Sequence, residues 1–171
     1  MEIDCGSDRG RPAFGSGTMG PVSGSADSPR ERNAAGLRRL AALAGRVGLG
    51  GAPERLRGGW TAPAVLAHLA FWDRFVIARW DRYESVGTLE PLPGFYQDLV
   101  NDSALPLWLA LGPATAAGQA VEAATACCER IASLPPAAVE TALSSGREWM
   151  LDRSHHWAPH LDELEAALGG G

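Results

Sequence analysis

The longest helical pattern in the chain, WTAPAVLAHLAFWDRFVIARWDRY at residues 60–83, constrains the fold more than any other feature. Apolar side chains recur along it at every third or fourth position, which places them on one face of an α-helix. Thr61 can cap the start of this helix, and Pro63 falls in the first turn, where proline is tolerated. The predicted core positions are Val65, Leu69, Trp72, Val76 and Trp80. The pattern therefore predicts an α-helix of about six turns.

Three further segments show the same helical spacing, at about residues 29–47, 113–134 and from the last histidines to Leu168. Their apolar stripes are Leu37, Leu40, Ala44 and Val47 in the first, Ala117, Val121, Ala124, Cys128 and Ile131 in the second, and Trp157, Leu161, Leu164 and Leu168 in the third. No segment alternates with the period of two that is typical of strands, and no internal repeat is present. Four helical patterns separated by polar breaks predict an all-α protein, specifically a four-helix bundle.

A long connection, residues 86–112, joins the second and third predicted helices and is rich in proline and glycine. We predict an irregular crossover with short helical pieces, one of which is NDSALPLWLAL with Asp102 or Ser103 as its N-cap. A connection of this length inside a compact domain is commonly functional or a partial lid.

The first 28 residues are rich in Gly, Ser, Pro and Asp, so they offer little apolar surface for packing. We predict a disordered tail over residues 1–28 and a helical bundle domain over residues 29–171. The tail also lacks the apolar stretch of a signal peptide.

Composition excludes several classes of function. The formal net charge is −5 and no basic stripe is present, which argues against nucleic acids and anionic membranes as partners. No apolar run approaches the roughly 18 residues of a membrane span. The three cysteines do not form a disulfide framework, which favours a reduced, cytoplasmic protein. Cys128 lies on an apolar stripe and is interpreted as a core residue and not as a nucleophile.

Three of the four histidines lie in the stretch DRSHHWAPH at residues 152–160. His156 and His160 are four residues apart, so one helix face could supply two imidazoles to one metal ion. His68 in the second predicted helix could supply a third, which would leave open coordination positions for water or substrate. The alternative is that His68 is an ordinary core histidine and that the pair is a chance spacing.

Pro159 complicates this interpretation because it lies between the paired histidines. Proline removes a backbone donor and crowds the preceding turn, so either the helix kinks or regular helix begins near Trp157. Either outcome could move His156 away from the site, and His155 would then be the replacement candidate.

Arg79 follows His68 by eleven residues, almost three whole helical turns, so both lie on one face about 16 Å apart along the axis. Arg79 could therefore bind a substrate carboxylate at the far end of a pocket. The alternative is a solvated arginine, or an ion pair with Glu84 or Asp73.

Other residues of the same region are candidates for the walls of this pocket. Trp72 and Phe75 lie on the stripe of His68 and could line a substrate site, although both are more typical of a plain core. Arg147 and Arg153 could reach the mouth of the pocket. No further catalytic residue is identified from the sequence.

Four segments together resemble the DinB-like superfamily of four-helix-bundle metalloproteins, which includes thiol-dependent maleylpyruvate isomerases and bacillithiol or mycothiol S-transferases. They are GGWTAPAVLAHLAFWDRFVIARW, VNDSALPLWLAL, ERIASLPPAAV and LDRSHHWAPHLDELEAAL, within roughly residues 30–168. The resemblance implies a DinB-like bundle with a long crossover between helices 2 and 3. It also implies that His68, His156 and His160 are the metal ligands. Glu163 fits the acidic variant of the family pattern after the last ligand, whereas Pro159 departs from that pattern.

The resemblance implies a metal-dependent transferase or isomerase that uses a low-molecular-weight thiol on a small electrophilic substrate, in secondary metabolism or detoxification. The metal would be divalent, with Zn or Ni expected. All basic residues are arginines, a bias typical of GC-rich genomes, which favours mycothiol as the thiol. The alternatives are a hydrolase that uses metal-bound water and a non-catalytic ligand-binding or self-resistance protein. The expected partners are a small-molecule substrate and, in a homodimer, a second copy of the chain.

Overall fold

The computed structural model describes residues 28–50 and 56–169. The helices found in these residues are α1 (Pro29–Gly48), α2 (Ala62–Val86), α3 (Tyr96–Leu109), α4 (Pro113–Ala132), α5 (Pro136–Ser144) and α6 (Ser154–Gly169). Two short 3₁₀ helices lie at Arg57–Gly59 and Glu148–Met150, and the described ranges contain no strand. The prediction of an all-α protein is confirmed. A membrane-spanning segment is not found among these helices, since each is too short or too polar.

Side-chain caps fix the starts of α2 and α1, and that of α2 is the predicted one. Thr61 caps α2 through its side-chain oxygen, which accepts a hydrogen bond from the Ala64 amide at 3.2 Å. Ser28 caps α1 in a reciprocal arrangement with Glu31, whose carboxylate accepts from the Ser28 amide at 2.7 Å. The rest of the predicted tail, residues 1–27, lies outside the described residues.

Packing between the helices builds one main core. α4 packs against both α1 and α2, α6 packs on α1, and α3 lies on α2. All five predicted core positions of α2 are buried, as are Leu40, Ala44 and Val47 of α1 and Trp157, Leu161 and Leu164 of α6. The apolar periodicity therefore identified the inward faces of these three helices correctly.

The crossover differs from its prediction, because it contains a regular helix of 14 residues. α3 begins at Tyr96, so the predicted caps Asp102 and Ser103 lie in its interior and the prediction of a cap there is wrong. Ser103 instead donates its hydroxyl to the carbonyl of Leu99 at 2.7 Å. Pro106 is also inside the helix, and Trp108 is the residue of α3 that is buried. The helix is therefore held by its packing on α2 and not by a local capping signal.

The buried face of α4 matches its prediction only in part, because Ala117 and Ala124 are buried as predicted and the other three stripe residues are not. Cys127 is fully buried, whereas Cys128, Val121 and Ile131 are only partly buried. The fully covered positions are otherwise alanines: Ala116, Ala120, Ala123 and Ala124. Small side chains allow helices to approach closely, so α4 turns its alanine face toward α1 and α2 and leaves its larger residues at the edges.

α5 was not predicted from the sequence, in which two prolines, Pro135 and Pro136, directly follow the predicted helix at 113–134. A proline in the first turn is compatible with a new helix, and α5 starts at Pro136. Ala138 and Ala142 of α5 pack into a second apolar cluster with Trp80 and Met150. This cluster supports the chain segment that leads into α6.

Gly36 of α1 lies against the side chain of Trp157, and a Cβ built there would be 2.7 Å from Cε3 of that ring. We expect Gly36→Ala to lower the free energy of unfolding by about 1–3 kcal/mol, because a well-packed core resists an added methyl group. That figure is the net change, after allowing for the gain of about 1 kcal/mol that alanine brings to a helix interior. Chemical denaturation of the variant measures the difference.

Gly45 provides the matched control, because it is in the same helix and a Cβ built there would meet no neighbouring atom within 4 Å. We expect Gly45→Ala to raise the free energy of unfolding by about 0.5–1 kcal/mol. Stabilisation by both substitutions would show that α1 and α6 are not in close contact at Gly36.

Candidate metal centre

The start of α6 is fixed by hydrogen bonds to two side chains, those of Asn33 and Asp152. The side-chain oxygen of the buried Asn33 in α1 accepts from the amide of Arg153 at 2.7 Å, and its Nδ2 donates to the carbonyl of Leu151 at 2.8 Å. The carboxylate of Asp152 accepts from the amide of Ser154 at 3.1 Å. These contacts hold the chain so that His156 lies in the first turn of the helix.

Pro159 lies inside α6, and the helix continues through it from Ser154 to Gly169. The backbone donor that proline lacks would have bonded the carbonyl of His155, which is on the outer side of the first turn. His155 has a side chain 72% exposed, and its Nε2 lies 3.3 Å from Asp152. His156 and His160 remain on one face, with ring centroids 5.3 Å apart. Pro159 therefore does not displace His156, and His155 is not part of the group.

The side chain of His68 in α2 meets the two histidines of α6. Its ring centroid lies 5.3 Å from that of His156 and 4.8 Å from that of His160. The Nε2 atoms of His68 and His156 are 3.3 Å apart, and one ring nitrogen of each of the three histidines lies within 4.8 Å of the others. The structure thus brings together all three predicted ligands in a group that can hold a metal ion.

The donor set fits a divalent transition metal. Two imidazoles bound at about 2.0–2.1 Å to a tetrahedral zinc ion have nitrogens about 3.3 Å apart, which is the separation of His68 and His156 Nε2. Nitrogen-only ligands suit Zn, Ni, Cu and Fe better than Mg or Ca. Three protein ligands leave at least one coordination position for another molecule.

The surroundings keep the three rings neutral. Burial lowers the pKa of His68 to about 3, and the nearby His160 and Arg153 contribute to this shift. Burial also lowers the pKa of His160 to about 4 and holds that of His156 well below its ordinary value. His68 is enclosed by Trp60 and Trp108, whose ring centroids are 5.4 and 5.1 Å from its own. Neutral imidazole is the form that binds a metal ion.

Arg153 contacts His156 directly, with its Nη2 2.8 Å from His156 Nδ1. A guanidinium only donates, so Nδ1 of His156 is the acceptor, and a neutral ring then carries its proton on Nε2. That proton points at Nε2 of His68, which accepts it with its lone pair and carries its own proton on Nδ1. The lone pair of His68 becomes available to a metal once His156 no longer donates to it. His156 would first have to move its proton to Nδ1 and separate from Arg153.

A buried ion pair holds Arg153 in place. Its Nε donates to the carboxylate of Asp73 at 2.9 Å, and its Nη1 donates to the carbonyl of Trp149 at 3.2 Å. Nε1 of Trp157 donates to the same carboxylate at 3.0 Å. Asp73 is fully buried and Arg153 is nearly so. Burial raises the pKa of Asp73, while the charge and hydrogen bonds of Arg153 oppose that rise.

The ion pairs that the sequence suggested for Arg79 are not formed. Asp73 is bound to Arg153, and Glu84 lies 2.8 Å from Arg130. The Nη2 of Arg79 instead donates to the backbone carbonyl of Glu90 at 2.7 Å.

A cleft of about 190 Å³ opens beside the histidines. Its lining residues are His68, Trp72, Gln97, Asp98, Asn101, Trp149, Arg153, His156 and His160. Trp72 and Arg153 were predicted to reach the pocket, and both line it. Phe75 and Arg79 do not line it, and Phe75 packs behind Trp72 with ring centroids 5.1 Å apart. Arg147 is also absent from the lining.

The contribution of α3 was not foreseen from the sequence, although this helix supplies Gln97, Asp98 and Asn101 to the cleft. Asn101 accepts a hydrogen bond from Nε1 of Trp72 at 3.0 Å, which ties α3 to α2 beside the histidines. Gln97 and Asn101 are four residues apart, so a helix begun at Tyr96 would have placed both on one face. The signal was hidden because the predicted helical piece began only at Asn101, which left Gln97 and Asp98 in irregular chain.

No family model matches the chain, and neither a curated protein nor a solved structure matches it significantly.

Proposed function

We propose that this chain is a DinB-like metalloenzyme that uses a low-molecular-weight thiol to transform a small electrophilic substrate, as a transferase or an isomerase. The observation that supports the proposal is the group formed by His68, His156 and His160, three neutral imidazoles that share one cleft. A closed structural metal site typically uses four protein ligands, whereas three ligands beside a cleft are typical of a catalytic one.

A divalent ion held by these histidines, with zinc or nickel expected, would supply Lewis acidity and favour the thiolate form of a bound thiol. The chain's own residues supply the rest of the site. Trp72 and Trp149 supply apolar walls to the cleft. Asp98 is the carboxylate among the lining residues and is the candidate acceptor for the thiol proton. Mycothiol is the proposed thiol.

A hydrolase is the second candidate, and the polar side of the cleft favours it. Gln97, Asp98 and Asn101 lie on α3 within the lining and present a carboxylate and two amides. Such groups can orient a water molecule as readily as a thiol. The two candidates therefore differ in whether an added thiol is required.

The experiment starts from protein expressed without a polyhistidine tag. We expect elemental analysis to find about one divalent zinc or nickel ion per chain, as a three-histidine site requires. The metal-loaded protein is then incubated with a panel of small electrophiles, with mycothiol, with cysteine and without thiol. Consumption of electrophile that needs both metal and mycothiol supports the proposal.

The other outcomes separate the alternatives. If the protein hydrolyses an ester in a reaction that needs metal but no thiol, the hydrolase becomes the better proposal than the transferase or isomerase. Absence of metal from the purified protein and after addition of Zn²⁺ or Ni²⁺ would overturn both enzymes. A ligand-binding or self-resistance protein would then be the better interpretation.

A further inference from the structure

Arg79 is held between two aromatic rings and has hydrogen-bonding capacity that the protein does not use. Its guanidinium carbon lies 5.9 Å from the ring centroid of Phe75 and 5.9 Å from that of Trp149. Its Nη2 donates to the carbonyl of Glu90, whereas its buried Nε has no partner within the described chain. A buried donor without a partner is costly, so such a group commonly serves a ligand.

A second guanidinium, that of Arg147, lies close enough to act on Arg79. Burial lowers the pKa of Arg79, and the positive charge of Arg147 lowers it further. Arg147 donates to the backbone carbonyl of Ser145 at 3.1 Å. In the described residues neither arginine forms an ion pair, and the nearby carboxylate of Glu90 is taken by Arg82 at 2.8 Å. Neither of these two like charges forms a direct ion pair in the described residues, although the charge of Glu90 also acts on Arg79 and opposes the lowering of its pKa.

Trp149 connects this pair of arginines to the candidate metal centre. Its ring lies beside Arg79 and also lines the cleft that contains the three histidines. Arg147 is two residues before Trp149 in the chain, so both come from the segment that leads into α6. Trp149 therefore links the arginine pair, which does not itself line the cleft, to the cleft that holds the histidines.

We propose that Arg79 and Arg147 form a binding site for an oxyanion, a carboxylate, phosphate or sulfonate group carried by the substrate. The planar guanidinium donors match such groups geometrically, and the aromatic rings on Arg79 keep its fork in a fixed orientation. The site deepens the proposed function, on which its role in catalysis rests.

The spacing defines the class of substrate. Arg79 is eleven residues from His68 on α2, about 16 Å along the helix axis. A molecule with its reactive centre at the histidines and its anion at the arginines is therefore elongated and acidic at one end. A small neutral electrophile would use only the cleft itself.

The test measures anion binding on chelator-treated protein, with inorganic phosphate as the probe at low ionic strength. We expect the ¹⁵N–¹H signals of Arg79 Nε and Arg147 Nε to shift saturably as phosphate is added. Arg79→Met and Arg147→Met should each weaken phosphate binding by at least about tenfold, because charge-assisted hydrogen bonds are lost. Arg79→Lys should weaken it less, since the charge remains but the fork is lost.

Arg74→Met is the matched control, because Arg74 is an exposed arginine of the same helix that pairs with Glu122 at 3.8 Å. It removes the same net charge and should leave the phosphate affinity unchanged. Non-saturable shifts, or equal weakening in all three methionine variants, would overturn the proposal. Circular dichroism verifies the fold of each variant, and Arg147→Gln repeats the test if Arg147→Met unfolds.

The anion site and the proposed function can be tested independently of each other. Phosphate binding should persist in His160→Ala, which removes a candidate metal ligand and leaves both arginines in place. If the wild-type protein binds phosphate but no metal, the anion site would be supported and the metalloenzyme proposal would fail. If the protein binds metal but no phosphate at these arginines, the metalloenzyme proposal would remain and the proposed elongated acidic substrate would be rejected.

Discussion

His68→Ala, His156→Ala and His160→Ala are each expected to abolish stoichiometric metal binding, whereas His155→Ala should retain it. Each of the three histidines offers one nitrogen to the same group, in which the ligand atoms lie within 4.8 Å of one another. With one imidazole removed, two ligands remain, too few for the sites that divalent zinc normally occupies in proteins. Elemental analysis after dialysis against Zn²⁺ or Ni²⁺ measures the loss directly.

His155 is a demanding control, because it is adjacent to His156 in the chain and has the same chemistry. Its ring is exposed and lies near Asp152, on the opposite side of the first turn of α6. Loss of metal in His155→Ala with retention in His156→Ala would mean that Pro159 has turned the helix in solution. Equal metal content in all four variants would place any bound ion elsewhere in the protein.

The inward faces of α1, α2 and α6 could be predicted because each depends on local spacing. Trp72, Val76 and Trp80 are buried along one face of α2, as a period of 3.6 residues requires. The proximity of His156 and His160 could be predicted for the same reason, since residues four apart share a face of a helix. Pro159 lies inside α6 and removes one backbone hydrogen bond, but the helix continues through it, so His156 stays in the group.

What could not be predicted depends on contacts between distant parts of the chain. Asp73 and Arg153 are eighty residues apart, and nothing in either local sequence marks them as a pair. The face of α4 was predicted only in part because alanines reveal little about orientation until the neighbouring helices are in place. The residues of α3 that line the cleft were missed for a similar reason, since packing on α2 and not a cap determines where that helix starts.

Arg79 shows what the sequence and the folded structure each contribute to identifying a candidate site. Its distance along α2 from His68 follows from sequence spacing alone. Its neighbours do not: the ring of Trp149 and the charge of Arg147 come from a segment about seventy residues later. The sequence could therefore suggest an anion-binding arginine, but only the fold places a second guanidinium near it.

Asp73→Ala is expected to lower the free energy of unfolding by about 3–5 kcal/mol, because it leaves the buried guanidinium of Arg153 without its counter-charge. Trp157 would lose its hydrogen-bond acceptor as well, since its Nε1 donates to the same carboxylate. The side chains of Asp73 and Arg153 are 0% and 3% exposed, so water cannot replace the lost partner without opening the core. Urea denaturation measures the change.

Asp81→Ala is the matched control, since Asp81 is an aspartate of the same helix that also binds an arginine, Arg130, at 3.0 Å. Its carboxylate is 61% exposed, so we expect a loss of no more than about 1 kcal/mol. A double variant, Asp73→Leu with Arg153→Met, should recover much of the stability lost in Asp73→Ala, because apolar residues of similar volume can replace a buried ion pair. Equal, small losses in Asp73→Ala and Asp81→Ala would mean that water reaches Arg153 in solution. In that case the hydrogen bond from Arg153 to His156 would not be held in place by a buried ion pair.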